Sequence, residues 1–433
     1  MIQTQGTVAQ GPAAARQARG SAEVPVTDLP EDPLARGARL PRIAGTPALL
    51  LLASLVVSML AGSSAPTPLY GIYQQQWGFT PITTTVVFAV YAVAVLIALL
   101  VAGRLSDYAG RRPVLLAALA VQVVALLVYA RADGVGVLMA ARVIQGLSTG
   151  VAFGTIGAAL LDVSRERGAL ANALAAGPGT GGGALLSALF VQFLPAPTRL
   201  IYLVLAGVVV LQAVGVALLR ETVTRRRIPA SALVPEVRLP AATRGPVLAA
   251  APVLLAVWAM FGLYGALGPS LVHALTGSSS VVLGGAALAT LGAGVVVSVY
   301  LLRNTPARVV MVAGIGALAG GVAITLIALG TGSAVLFFVG TAVSGIGFGG
   351  GFQGSIRTVV PFAAPHERAG VMSLLYVVSY LGMGVPTVIA GFLAVHGAGL
   401  IGAARYYDVA LVVLAAAALA ALYRSRRQAT VTA

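Results

Sequence analysis

Apolar residues in this chain neither alternate nor keep to one helical face. They come in long unbroken runs parted by short polar knots. A helix crossing hydrocarbon needs about 20 mostly apolar residues. Twelve stretches qualify: about 46–69, 81–103, 113–131, 134–160, 168–193, 198–220, 246–273, 277–302, 309–330, 333–358, 368–394 and 398–423. The third and fourth are separated only by Ala132 and Asp133. The predicted fold class is an all-α membrane protein with twelve transmembrane helices. Residues 1–45 are polar and Pro-rich, with no apolar run of signal-peptide length, and read as a disordered tail.

The longest internal polar stretch carries Arg225, Arg226 and Arg227 with Pro229, Pro235 and Pro240. It sets a linker over 221–245 between six-helix bundles at 46–220 and 246–423, with a tail at 424–433. Repetition supports two pseudo-symmetric halves. Glu166-Arg167-Gly168 opens the fifth span and Glu367-Arg368-Ala369 the eleventh, 201 residues on. Gly146, Gly150 and Gly154 mark the fourth span; Gly345, Gly347, Gly349, Gly350, Gly351 and Gly354 mark the tenth.

Composition excludes a soluble enzyme: 58% of the 433 residues are apolar and 9% charged, against about 25% charged in soluble domains. Glycine, at 53 residues, lets helix backbones approach closely in lipid. No cysteine and three scattered histidines leave no basis for a metal site. All 27 basic residues are arginine, which suggests a GC-rich bacterial gene and hence the bacterial cytoplasmic membrane. The net charge of +15 is read as loop arginines facing the cytoplasm, not as a nucleic-acid surface. The two tails and the loops after even-numbered spans hold 23 arginines. Only Arg131, Arg199 and Arg405 fall on the other side, and Arg142 lies within a span. Both termini are expected in the cytoplasm.

Between the second and third spans stands Gly103-Arg104-Leu105-Ser106-Asp107-Tyr108-Ala109-Gly110-Arg111-Arg112-Pro113. Gly103, Asp107, Gly110, Arg111 and Arg112 resemble the loop signature of the major facilitator superfamily, at the matching position. The resemblance covers about 45–424. It implies that Asp107 meets the start of the eleventh span, where Arg368 stands, and latches the cytoplasmic side. The arginines also orient the loop. The corresponding loop in the second half, Arg303 to Arg308, has no acid, so a one-sided latch is expected.

Arg142-Val143-Ile144-Gln145-Gly146 resembles the superfamily's fourth-helix motif. A mid-membrane arginine costs about 2.5–3.5 kcal/mol on insertion scales. It either faces a cavity in a coupling role or binds backbone carbonyls and snorkels. The first span lacks the acid that partners it in proton-coupled members. Gly177-Pro178-Gly179-Thr180-Gly181-Gly182 resembles the fifth-helix motif of drug/proton antiporters, with Pro178 as a bend and the glycines as a thin face. Asp162 is expected to pair with Arg165 or Arg167, and Asp408 with Arg405 at i,i+3.

Tyr70, Gln145, Asn172, Trp258, Tyr264, Gln353, Tyr376 and Tyr380 are candidates to line a central cavity, some of them instead anchoring at the interface. Such a lining suits a small amphipathic organic molecule, uncharged or cationic. No catalytic constellation, cofactor motif or Walker loop is visible. The expectation is a monomeric secondary active exporter, not an enzyme, working by alternating access in the lipid bilayer, with protons as the implied exchange partner. An importer or uniporter on the same fold, or a non-transporting sensor, are the alternatives.

Overall fold

The computed structural model describes residues 42–431, with side chains to Tyr423. The expected tail up to residue 41, with Arg16, Arg19, Arg36 and Arg39, lies outside the described residues. So do the side chains of Arg424, Arg426 and Arg427. Among the described residues, twelve helices are long and apolar enough to cross a membrane. They are α1 (Gly45–Ser64), α2 (Pro81–Ala102), α3 (Arg111–Ala130), α4 (Val135–Val163), α5 (Arg165–Phe193) and α6 (Leu200–Ala217) in one half. The other half holds α7 (Ala241–Thr276), α8 (Val281–Leu301), α9 (Ala307–Thr331), α10 (Ala334–Phe362), α11 (Arg368–Val395) and α12 (Gly399–Tyr423). The architecture is all-helical. Its one extended pairing among the described residues joins Ile43 to Leu219.

Several boundaries differ from the sequence reading. The first span stops at Ser64, not residue 69. Pro66 and Pro68 cannot donate to a continuing helix, and the chain turns before a short helix, Tyr70–Trp77. The seventh span begins at Ala241, five residues early, and passes through Pro246, Pro252 and Pro269 without breaking. The carbonyl that Pro269 frees, Gly265 O, accepts from Thr67 Oγ1 at 3.0 Å. The last helix continues to Val431. Residues 42–45 are not loose: Ile43 N–H donates to Leu218 O at 2.9 Å and Arg220 N–H to Ile43 O at 3.1 Å.

There are two apolar cores, one within the first half around Leu55, Leu119, Ile156 and Tyr202, the other around Met260, Ile315, Phe337 and Leu411 of the second half, which also takes in Phe88, Tyr91, Ala92 and Val95 of α2. Glycine stripes set the closest packing. The stripe on α4 lies on α2, with Gly146 against Ala94 and Gly150 against Ala98. The stripe on α10 lies on α8 through Gly345 and Gly349, and on α9 through Gly347 and Gly354. Exchanging the halves turns α4 on α2 into α10 on α8, the pseudo-symmetry that the sequence repeat implied.

The halves meet along two seams. In one, α2 lies on α11, with Thr85 against Gly391. In the other, α5 lies on α8, and Gly177 faces Gly292 backbone to backbone. A Cβ on Gly292 would stand 2.5 Å from Gly177 O, so neither position has room for a side chain. Here α5 loosens into a π turn, Pro178–Gly182. Proline removes one hydrogen bond and the widened turn absorbs the change. On the side away from the linker, Thr67 Oγ1 crosses between the halves and donates to Gly265 O at 3.0 Å.

Candidate functional site

Arg142 is fully buried on α4. Its Nη1 donates to Ser63 O at 2.8 Å and to Gln145 Oε1 at 3.1 Å, and its Nη2 donates to the Tyr70 hydroxyl. The guanidinium carbon lies 5.7, 5.2 and 5.9 Å from the ring centres of Tyr70, Tyr91 and Tyr129. A desolvated cation–π contact contributes about 2 kcal/mol. Three rings and a carbonyl offset the insertion cost without a carboxylate. This explains how the charge survives with no acid on α1. The cage is braced: Tyr129 donates to Gln145 Oε1 at 3.0 Å and stacks on Tyr202 at 4.8 Å. Arg142 Nε and Gln145 Nε2 have no hydrogen-bond partner. Arg142 therefore bonds a backbone carbonyl, as one alternative held, but does not snorkel outward.

A second cluster is aromatic. Trp258 on α7 has Phe261, Phe348, Phe352 and Tyr380 within 5.3–5.8 Å, centre to centre. All except Tyr380 are half-buried, and Trp258 Nε1 and Gln353 Oε1 are buried without partners. Phe261, Phe348 and Phe352 escaped the sequence reading. The signal was present, since Trp258–Phe261 and Phe348–Phe352 fall at i,i+3 and i,i+4, the spacing of one helix face. Tyr376 is half-buried on α11, one turn before Tyr380. Tyr264 does not join them. Six residues past Trp258, it sits about 120° round the helix and turns into the core of the second half, where Thr341 Oγ1 donates to its hydroxyl at 2.9 Å. Asn172 is exposed on α5, apart from both clusters.

The acid of the loop 103–110 stays within its own half. Asp107 pairs with Arg111, four residues on, and does not reach α11. Arg111 Nε also pairs with Asp162 at 3.1 Å, and Thr222 Oγ1 donates to the same carboxylate at 2.8 Å. Asp162 thus takes Arg111 in place of Arg165 or Arg167. Glu221 accepts from the backbone N–H groups of Arg111 and Arg112 at 2.8 and 3.1 Å, capping α3. Gly110 is required beside it: its φ is +97° and a Cβ would stand 2.7 Å from Glu221 Oε2.

Arg104, not Asp107, reaches beyond the half, pairing with Glu236 of the linker at 2.7 Å. Glu236 also holds Arg238, whose N–H donates to Gly370 O on α11 at 3.2 Å. Arg368 Nε donates to Ala363 O at 3.3 Å, within its own half. In the second half Arg357 ends α10 by bonding Leu302 O and Thr305 O at 3.4 and 2.7 Å. The expected Asp408–Arg405 pair is absent: Arg405 Nη2 donates to Leu329 O at 2.6 Å. Sequence spacing put the two charges in reach, but the arginine found a helix-end carbonyl instead.

Twelve spans in two pseudo-symmetric six-helix halves, with a caged charge in one and an aromatic cluster in the other, define a polytopic membrane protein of transporter architecture. The family model for the Major Facilitator Superfamily matches residues 50–385, and the chain belongs to that superfamily. The structure is similar to the crystal structure of nucleoside transporter NupG (D323A mutant), with a TM-score of 0.66 and 14% identity. That likeness covers 86% of this chain and 99% of the other. Among curated proteins none matches the sequence.

Proposed function

We propose that this protein is a secondary active exporter of small amphipathic organic molecules, uncharged or cationic, driven by proton exchange. The observation that carries the reading is the α5–α8 seam, where the Pro178 π turn and the Gly177–Gly292 contact form the inter-half face. Its motif resembles that of drug/proton antiporters. Bare backbone contact at such a seam leaves no side-chain gap for leakage. The aromatic cluster around Trp258 offers π faces to a flat or cationic substrate. Residues 46–220 rock against 246–423, and the loop holding Asp107, with the linker, works as the inner latch. The linker side faces the cytoplasm of a bacterium, as the arginine distribution favours. The Thr67–Gly265 contact then belongs to a closed outer face.

A second reading is an importer or uniporter of a small organic solute. It is favoured by the absence of an acid on α1 and by the similarity to a nucleoside transporter. Everted membrane vesicles separate the two. Proton-gradient-driven accumulation of ethidium, abolished by a protonophore, is expected of the exporter. Gradient-independent equilibration of labelled uridine with no ethidium accumulation would overturn it.

A further inference from the structure

The second half contains a carboxyl group that no part of the reading above uses. Asp408, on α12, is 2% exposed, and its Oδ2 has no hydrogen-bond partner. It stands nine residues into the helix, about 14 Å from that helix end, well inside the apolar layer. No salt bridge joins it to any described residue.

Tyr264 of α7 and Tyr407 of α12 itself lie within electrostatic reach of Asp408. The Tyr264 hydroxyl accepts from Thr341 of α10 and lies 3.4 Å from Thr325 Oγ1 of α9. The Tyr407 hydroxyl donates to Ala259 O of α7 at 2.7 Å. The helices packed on α12 are α7, α9 and α11, and Tyr264 of α7 interacts electrostatically with Asp408. On α9, Arg308 meets α12 at Leu422 O, fourteen residues and about 21 Å along the helix. On α11, Tyr380 sits against Trp258 and Arg368 bonds Ala363 O. Arg405, the nearest cation on α12, is committed to Leu329 O. An anion buried without a cation costs several kcal/mol, so the environment accepts the neutral acid. Buried acids in membrane spans characteristically serve proton relays.

The position is mechanically connected. Tyr264 is followed by Gly265, whose carbonyl accepts Thr67 Oγ1 from the other half. Gly262, one turn earlier, lies directly against Thr387 of α11. A shift of Tyr264 therefore reaches the cross-half contact through one peptide.

We propose that Asp408 is the proton-carrying carboxyl of this transporter and that Tyr264 and Gly265 pass its protonation state to the Thr67 contact. With the proton on, the carboxylic acid packs in the closed arrangement described above. When the O–H bond breaks, the proton passes to water and the carboxylate is left without a cation. It then draws the Tyr264 hydroxyl toward itself, and the Thr67–Gly265 contact opens. This deepens the proton-exchange reading above and rests on it.

The test needs no transported substrate. Full-length protein in lipid nanodiscs is labelled at Gln75 and His273, on the side of the Thr67 contact, and the distance is followed by pulsed electron resonance from pH 5 to 9. The expected wild-type result is a pH-dependent change between two distances. Asp408→Asn, a neutral mimic, should lose that pH dependence and hold the closed distance throughout. Tyr264→Phe removes the hydroxyl that the carboxylate draws, so it should keep the carboxyl yet hold the closed distance from pH 5 to 9. Infrared spectra of the wild type should show a protonated-carboxyl band at neutral pH, absent in Asp408→Asn and shifted in Tyr264→Phe. If Asp408→Asn does not fold, the Tyr264→Phe band and distance still decide, since a wild-type distance titration in Tyr264→Phe overturns the proposal. A wild-type titration retained in Asp408→Asn overturns the proposal. So does a distance that responds to sodium at fixed pH and not to protons, or a carboxyl band that Tyr264→Phe leaves in place. Proton-driven transport in everted vesicles with no titration of this distance would uphold the exporter reading and reject Asp408 alone.

Discussion

Glu236, in the linker, holds Arg104, in the loop after α2, at 2.7 Å. The two residues are 132 positions apart, and the same carboxylate steadies Arg238 against the first turn of α11. The loop and α11 are thus joined through the linker, where the motif resemblance implied a direct bond from Asp107. Glu236→Gln keeps the shape and removes the charge. Partly exposed ion pairs contribute about 0.2–1 kcal/mol each, so closed and open populations should shift up to about fivefold per pair. Distances between labels at the linker-side ends of α2 and α11 would measure it. An unchanged distribution would mean that the linker only lies alongside.

Asp107 and Asp162 share Arg111, but unequally. Asp107 is half-exposed and sits one turn away on the same stretch. Asp162 ties α4 to α3 and, through Thr222, to the start of the linker. Asp162→Asn should therefore lower thermal stability in detergent more than Asp107→Asn, whose cost should stay under about 1 kcal/mol. The reverse order would show that the loop, not the inter-helix tie, carries the stability.

Arg142→Lys tests the cage. Lysine keeps the charge but has no planar fork to bond Ser63 O, Gln145 and Tyr70 together. Transport should fall at least tenfold at equal expression, and Arg142→Ala should abolish it while leaving most of the protein folded. Wild-type rates in either variant would make the cage a packing device alone.

Gly177→Ala places a methyl group on Gly292 O. Overpacking of this kind costs about 1–3 kcal/mol, and the contact is backbone, so no side chain can step aside. The expected result is a lower unfolding temperature and a passive leak through proteoliposomes. Gly182→Ala, next to open space on the same turn, should show neither.

The spans were legible because hydrocarbon forces about 20 apolar residues into one helix, and nothing in the chain obscures that signal. The glycine stripes were legible for a related reason, since close backbone packing is a local requirement. What escaped depends on where a long side chain turns. Arg405 stands three residues from Asp408, and helical spacing alone pairs them, yet the guanidinium lies on a carbonyl of α9. Tyr264 reads as a cavity aromatic until its angular offset from Trp258 is counted. Glu221 and Glu236 lie in a stretch with no periodicity, so their partners became visible only with the fold.

The pairing of Ile43 with Leu219 brings the entry and exit of the first six helices side by side. Chains whose ends adjoin tolerate being cut, rejoined or inserted elsewhere. The first half thus begins and ends at one point. A gene broken within the linker could supply it as a separate polypeptide, and a gene fusion could append a copy through a short joint without dragging any helix out of register.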